Sequence, residues 1–263
     1  MSDSLRQLLD TSYELLGLSN EIMLSCRLKK NKTPSGGRFI ISFFLRRAQE
    51  TFEAFLTLIK ELGVVDASLL LRSFTELGIN TAFIFQDDDE KAKRSLQYII
   101  DGDDSQRRLI ESNLEAFKEF DPHIESRKDQ LRESIQRAKL EFAEKYPGER
   151  PDLPPLKERA IRTEIAILDH FYNQAYRYYS SVEHSTMQFG RDYIDEHECE
   201  PLDHLEKIED SSLFNPKVML FLFRSIFFEI LKTFNNEYLL NWEEKIITLF
   251  GKHESEYGLL KKK

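Results

Sequence analysis

The sequence predicts an all-α protein, a multi-helix bundle with a central apolar helix and a charged protruding helical hairpin. Apolar residues recur every three or four positions over long stretches, as they do along the buried face of an amphipathic helix. The period-two alternation that is typical of strands persists nowhere. Only 10 Gly and 8 Pro interrupt the 263 residues. Because no Gly/Ser-rich linker divides the chain, we expect a single all-helical domain over residues 1–263.

The first half of the bundle begins with two helices that form an antiparallel hairpin. The first runs from about Asp3 to Lys30, where a Pro- and Gly-containing segment ends it, and the second runs from about Phe39 to Leu62. Four phenylalanines of the second helix predict a thick aromatic layer. A third helix, from about Asp66 to Phe85, is apolar nearly all round and is therefore expected to be central.

The composition then changes to charge-rich helix over residues 87–146, which we interpret as a protruding hairpin inserted in the domain. Turns are predicted at 101–105 and at Asp121-Pro122, and the Pro-rich segment 147–155 is the clearest loop. Helix resumes at about Leu156. After an irregular acidic crossing, one long amphipathic helix is predicted from Pro216 to at least Phe250.

Composition limits the location and the partners of the protein. A net charge of −9 opposes tight, non-specific binding to a polyanion but leaves a local RNA pocket open. Only two cysteines are present, and no signal peptide is recognisable at the amino terminus, so we expect a cytoplasmic protein. The most apolar run, Val218 to Phe234, contains Arg224, Glu229 and Lys232. It is too short and too polar to span a bilayer, and no membrane association is expected.

Arg72 and Glu76 are the charged residues of the apolar third helix, four positions apart and therefore adjacent on its surface. One interpretation is a structural ion pair, which is tolerated in a buried helix only when both members are hydrogen-bonded. The other is a pocket in which Arg72 binds an anionic ligand and Glu76 orients it, because the guanidinium fork suits phosphate or carboxylate.

The segment from Tyr176 to Ser185 places Arg177, Ser180 and His184 at helical spacing in aromatic surroundings. One interpretation of these residues is a polar seam between packed helices. In the alternative interpretation His184, with an ordinary pKa of about 6.5, moves a proton while Arg177 stabilises a pentavalent phosphate. That chemistry is RNA cleavage without a metal.

Other chemistries lack their sequence patterns. A di-iron bundle requires Glu-x-x-His pairs, and no histidine of the chain has Glu three residues before it. A serine hydrolase based on Ser180 and His184 lacks the Gly-x-Ser-x-Gly turn, and no Gly-rich phosphate loop is present. We therefore expect no metal site and no cofactor.

The two motifs together, Arg72-Ser-Phe-Thr-Glu76 and Tyr176-Arg-Tyr-Tyr-Ser180-Ser-Val-Glu-His184, resemble a bacterial all-helical family of unknown function over roughly 67–185. That resemblance implies a helical fold in which Arg72, Glu76, Ser180 and His184 form one network. More distantly, Arg177 with His184 resembles the signature of the HEPN ribonucleases. These are helical bundles that dimerise to form a composite cleft and often serve as toxins or antiviral defence effectors.

Two functions follow as expectations. The first is a HEPN-like, metal-independent endoribonuclease of a bacterial defence or toxin type, acting as a homodimer on RNA, with Arg177, Ser180 and His184 in the catalytic site. The second is a non-catalytic helical interaction or ligand-sensing module, in which Tyr176, Arg72 and Glu76 form a binding or structural network. In either case the charged hairpin 87–146 offers a surface for a protein partner.

Overall fold

The computed structural model describes residues 3–28, 36–61, 64–163, 168, 172–176 and 215–260. Within these ranges the backbone is helical apart from short turns and loops, and no strand is present. The predicted all-α, multi-helix fold is confirmed. The helices are α1 (Asp3–Leu28), α2 (Gly36–Lys60), α3 (Val64–Phe85), α4 (Asp88–Ser112), α5 (Leu114–Phe120), α6 (Ile124–Lys145), α7 (Leu156–Arg162), a π-helix (Tyr172–Tyr176), α8 (Pro216–Tyr238) and α9 (Glu243–Leu260).

The chain packs as two compact units. The first comprises Met1–Phe83 and Leu156–Lys263, and the second comprises Ile84–Pro155. The predicted charged hairpin, residues 87–146, falls within the second unit. The organisation of the whole chain as a single domain stays a prediction.

Helix α8 lies inside the first unit, where it packs against α1, α2 and α9. Its Phe223 stacks on Phe55 of α2 and on Phe74 of α3, with ring centroids 3.7 Å and 4.4 Å apart. Phe52 and Phe227 extend the same layer. Each aromatic pair contributes roughly 0.5–1.5 kcal/mol beyond the burial of its area. Phe52 and Phe55 of the predicted aromatic layer therefore belong to the common core of α2, α3 and α8, whereas Phe43, which was also expected there, is exposed.

Helix α3 approaches α8 closely at Gly78. A Cβ atom placed on Gly78 would lie 2.6 Å from Cγ2 of Ile226. Ile226 is itself almost fully buried, and its branched side chain has few alternative rotamers in a helix. The missing side chain at position 78 therefore sets the separation of the two helices.

The charges of the apolar run in α8 differ in their surroundings. Glu229 and Lys232 form an ion pair at 2.8 Å whose lysine is exposed. Arg224, in contrast, is completely buried. None of the helices in the described ranges combines the length and the apolar character needed to cross a bilayer.

The carboxyl-terminal stretch forms two helices, and the prediction of one long helix is wrong. Helix α8 ends at Tyr238 and α9 begins at Glu243. Between them Leu239 and Asn241 adopt left-handed φ angles of 52° and 59°. Such angles are uncommon for residues other than glycine, so other contacts must compensate for them.

Asn235 supplies those contacts. Its side-chain oxygen accepts a hydrogen bond from the backbone N–H of Trp242 at 3.0 Å. Its carbonyl accepts one from the N–H of Leu240 at 3.1 Å. These bonds provide hydrogen-bond partners for backbone groups that have no partner within the helix at the end of α8. Because the apolar period continues through the corner, periodicity alone does not reveal the break.

The second unit is an antiparallel helical hairpin, as predicted, with the short helix α5 in its connection. Arg132 of α6 donates to Glu111 at the end of α4, at 3.0 Å. Near the start of α4, the side chain of Gln97 donates to the carbonyl of Arg150, just beyond α6, at 2.7 Å. The two contacts place opposite ends of the helices together. Gln97 also fixes the predicted loop 147–155, which is confirmed.

The turn predicted at 101–105 is wrong, because these residues lie inside α4. Asp104 forms ion pairs with Arg107, at 2.8 Å, and with Arg108. Pairs spaced three and four residues apart stabilise a helix and offset the low helix propensity of Asp and Gly. The turn predicted at Asp121-Pro122 is confirmed, since it separates α5 from α6.

Candidate functional site

Arg72 and Glu76 lie one turn apart on α3 and are both half-buried. Their interpretation as a structural ion pair or as an anion-binding pocket stays a prediction. Leu69 and Ser73, which share this face of α3, are exposed. The apolar composition of α3 overstates its burial because Leu69 does not enter the core.

Arg72 contacts an aromatic ring from the second motif. Its guanidinium carbon lies 5.3 Å from the centroid of the Tyr176 ring, within the range of a cation–π interaction. Tyr176 stacks in turn on Tyr172, with centroids 5.1 Å apart. The structure thus brings together two of the predicted network residues, although more than 100 positions separate them in the sequence.

The backbone at this contact is a short π-helix, Tyr172–Tyr176. Single π turns are rare and are found frequently at functional sites. The remaining predicted site residues, Arg177, Ser180 and His184, lie outside the described residues, and their roles stay predictions. Within the described ranges, no group of three or more His, Cys, Asp or Glu side chains is arranged to hold a metal ion.

A second polar cluster, which the sequence analysis did not predict, lies where α1, α8 and α9 meet. Arg224 of α8 forms an ion pair with Glu256 of α9 at 2.7 Å. The other carboxylate oxygen of Glu256 accepts a hydrogen bond from the hydroxyl of Thr11 at 2.6 Å. All three side chains are buried. Both oxygens of Glu256 are therefore used to connect α9 with the two other helices.

His253 of α9 adjoins this ion pair. Its Nε2 lies 3.1 Å from the hydroxyl oxygen of Ser225, and that hydroxyl donates to the carbonyl of Phe221 at 2.9 Å. Since a hydroxyl has one proton, His253 is the donor to Ser225. The imidazole also stacks on the ring of Phe221, with centroids 4.7 Å apart. Among the described residues, Nδ1 of His253 and two nitrogens of Arg224 have no hydrogen-bond partner.

Burial and charge determine the protonation of the cluster. Burial, together with the positive charge of Arg224, lowers the pKa of His253 to about 3. Burial also lowers the pKa of Arg224, while its ion pair with Glu256 opposes that change. Arginine nevertheless keeps its proton, because its ordinary pKa is above about 12. The cluster therefore holds one cation, one carboxylate and a neutral imidazole at neutral pH.

Ser225 and His253 are residue types that serve as a nucleophile and a base in hydrolases. Their hydrogen bonding and burial do not fit that role. The Ser225 hydroxyl directs its proton to the carbonyl of Phe221 rather than to His253. Both residues are buried, which leaves no path for a substrate. We conclude that the cluster joins helices. The sequence did contain a signal for it, since Arg224 is an arginine within the apolar run 218–234.

The sequence of residues 38–201 matches a family of unknown function, DUF5677. The chain belongs to DUF5677. The match includes Arg72, Glu76 and Tyr176, and it extends over the predicted residues 177–184. The expected membership of an all-helical family of unknown function is therefore confirmed.

The DUF5677 match leaves out α1, α8 and α9, so the cluster of Arg224, Glu256 and His253 lies beyond its limits. The matched part of the chain therefore carries both predicted motifs, whereas the helices outside it carry the buried polar junction. No curated protein and no solved structure matches the chain.

Proposed function

We propose that this member of DUF5677 is a HEPN-like, metal-independent endoribonuclease of a bacterial defence or toxin type. The observation that carries the proposal is the contact of Arg72 with Tyr176, at 5.3 Å. Tyr176 immediately precedes Arg177 and opens the segment that contains Ser180 and His184. The contact ties the start of this segment to α3, and a catalytic motif requires such anchoring, because reacting groups must be held in fixed positions.

The chemistry follows from the ribose itself. His184 acts as a general base that takes the proton of the 2′-hydroxyl, and the 2′-oxygen attacks the adjacent phosphorus. The bond from phosphorus to the 5′-oxygen of the next nucleotide breaks, this oxygen takes a proton from water, and His184 returns its proton to the solvent. Arg177 stabilises the additional negative charge of the pentavalent phosphate. Ser180 is four positions before His184 in the sequence, and in this proposal its hydroxyl orients the imidazole. The products are a 2′,3′-cyclic phosphate and a 5′-hydroxyl.

In this proposal Arg72 and Glu76 take no part in the chemical step and serve to position the motif. Arg72 holds Tyr176, and Glu76 on the same face of α3 balances the positive charge near the RNA backbone. In this proposal two copies form a homodimer in the cytoplasm, so that two motifs line one cleft. The net charge of −9 opposes tight, non-specific RNA binding, so this proposal places the RNA at the local site of the motif.

The test is cleavage of end-labelled, single-stranded RNA by purified protein in the presence of a chelator. We expect the wild type to produce fragments with 2′,3′-cyclic phosphate ends. His184→Ala and Arg177→Ala should each lower the rate about 100-fold or more, because each removes a group that acts in the transition state. The matched control is His123→Ala, which changes an exposed histidine at the start of α6.

Equal rates for the wild type and His184→Ala would contradict the proposal, because any cleavage would then come from another site or from a contaminant. Absence of cleavage in all four proteins would favour the second candidate, a non-catalytic interaction or ligand-sensing module. The half-buried position of Arg72 and Glu76 supports that candidate, since side chains on a partly exposed face are accessible to a ligand.

A further inference from the structure

Residues of α6, together with Arg107 of α4, line two adjoining clefts in the second unit, with volumes of about 310 Å³ and 490 Å³. Both clefts are lined by Arg132 and Gln136, which lie one turn apart. The first is lined further by Arg107, Ile135, Lys139 and Leu140, and the second by Glu133 and Arg137. This surface, which we name the α6 surface, is independent of the proposed ribonuclease motif.

The α6 surface has the ridge and grooves that are typical of a face where helices pack. Arg132, Gln136 and Leu140 follow one another at intervals of four residues and form a ridge. The clefts lie on either side of that ridge. Helices pack by placing such ridges into the grooves of a neighbouring helix. The surface therefore fits another helix better than it fits an extended chain.

Positive charge exceeds negative charge among the residues that line the clefts. Arg107 and Arg132 both form ion pairs with Glu111. Arg137 and the half-buried Lys139 pair with no carboxylate in the described part of the chain. This excess is local, since residues 84–155 contain 13 Lys and Arg against 18 Asp and Glu. A ligand with carboxylates would gain favourable contacts that the unit itself does not provide.

The same surface offers apolar contacts. Leu140 is 64% exposed, although it is a large aliphatic residue at the edge of a cleft, and Ile135 is buried at its floor. No aromatic side chain lines either cleft among the described residues. Proteins that bind single-stranded nucleic acids stack the bases on aromatic rings, so this surface lacks the main contact for RNA.

We infer that the α6 surface is a docking site for an amphipathic α-helix of a protein partner, with Asp or Glu residues on both sides of an apolar stripe. The apolar stripe packs on Leu140 and Ile135. Its flanking carboxylates reach Lys139 on one side of the ridge and Arg137 on the other. Recognition of this kind depends on apolar anchors spaced along one helix face, with charges that select the partner.

The experiment uses the full-length protein and a labelled, helix-forming peptide of about 20 residues, with leucines along one face and glutamates on both flanks. Binding is measured by fluorescence anisotropy. A second peptide carries lysines in place of the glutamates, and an oligouridylate of similar length is the nucleic-acid probe. We expect the glutamate peptide to bind at least about ten-fold more tightly than either alternative, with affinity that falls as salt rises.

Two variants locate the binding. Lys139→Glu reverses a charge of the cleft, and Leu140→Ser removes the apolar anchor without changing charge; each should weaken binding of the glutamate peptide about ten-fold. Lys128→Glu is the matched control, because it makes the same charge change on α6 outside the clefts and should leave binding unchanged. Circular dichroism checks that each variant is folded.

Equal binding of both peptides, binding unaffected by Lys139→Glu and Leu140→Ser, or preferred binding of the oligouridylate would each overturn the inference. Absence of binding would overturn it as well. RNA cleavage by the His184 motif is measured separately and does not depend on these outcomes.

Discussion

His253 is a histidine that the fold keeps neutral. In the unfolded chain its pKa is about 6.5, whereas burial and Arg224 lower it to about 3 in the folded protein. Between these values the unfolded state binds the proton and the folded state does not. Above about pH 6.5 the imidazole is neutral in both states and does not affect the free energy of unfolding. As the pH falls from about 6.5 toward 3, protonation of the unfolded chain progressively lowers the free energy of unfolding.

The resulting prediction concerns the free energy of unfolding. Between pH 8 and pH 5, His253 should reduce the stability of the wild type by about 2 kcal/mol. His253→Phe, which keeps a ring against Phe221, should lose most of this pH dependence. His123→Gln is the control and should retain it. Urea unfolding at the two pH values measures the difference, and an equal pH dependence in wild type and His253→Phe would show that this imidazole is accessible.

At the level of residues, the structure shows one contact between predicted site residues and one ion pair that the sequence does not predict. Arg72 contacts the ring of Tyr176, while the polar network that would include both residues stays a prediction. In the sequence, Arg224 indicates only that the apolar run does not span a bilayer. Its partner Glu256 lies 32 positions away on a different helix. Helical periodicity indicates that a side chain faces inward, but it does not indicate which distant residue will compensate its charge.

At the level of helices, Gly78 controls how closely α3 approaches α8. Gly78→Ala adds a methyl group 2.6 Å from Cγ2 of Ile226. We predict a destabilisation of about 1–3 kcal/mol, because the overlap outweighs the better helix propensity of alanine. Thermal or urea unfolding provides the measurement.

The matched control for this prediction is a double-mutant cycle with Ile226→Ala, which removes the opposing side chain. In that background, Gly78→Ala should be neutral or stabilising. If Gly78→Ala were equally harmful with and without Ile226, the contact would not be the cause.

Most helices could be predicted from the sequence because their apolar period is long and Pro or Gly marks their ends. The two errors have physical reasons. The corner after α8 depends on the side chain of Asn235, which closes the helix without any interruption of the apolar period. The supposed turn at 101–105 is helical because Asp104 pairs with Arg107 and Arg108. Local composition describes neither effect.

At the level of the molecule, the second unit interrupts the chain of the first between α3 and α7. Near the two points of interruption, Arg159 of α7 donates a hydrogen bond to the side chain of Asn80 on α3, and both residues are buried. This bond keeps the two chain ends of the first unit together. The aromatic core around Phe223 also lies entirely in the first unit.

We therefore predict that replacing residues 84–155 by a short Gly/Ser linker leaves the first unit folded. The shortened protein should show helical circular dichroism and one cooperative thermal transition, because closing a short loop costs little entropy. Asn80→Ala in the shortened protein should lower the transition temperature. A broad, non-cooperative transition in the shortened protein would mean that the first unit requires the second.

The position of α8 has a practical consequence for expression of this family. The family's sequence limits, 38–201, end before α8 begins at Pro216. A gene fragment cut at those limits would encode Phe52, Phe55 and Phe74 without the helix on which they stack. In such a fragment these phenylalanine side chains would be exposed to solvent, and we expect the fragment to aggregate. Cloning boundaries for soluble material should therefore include α1, α8 and α9.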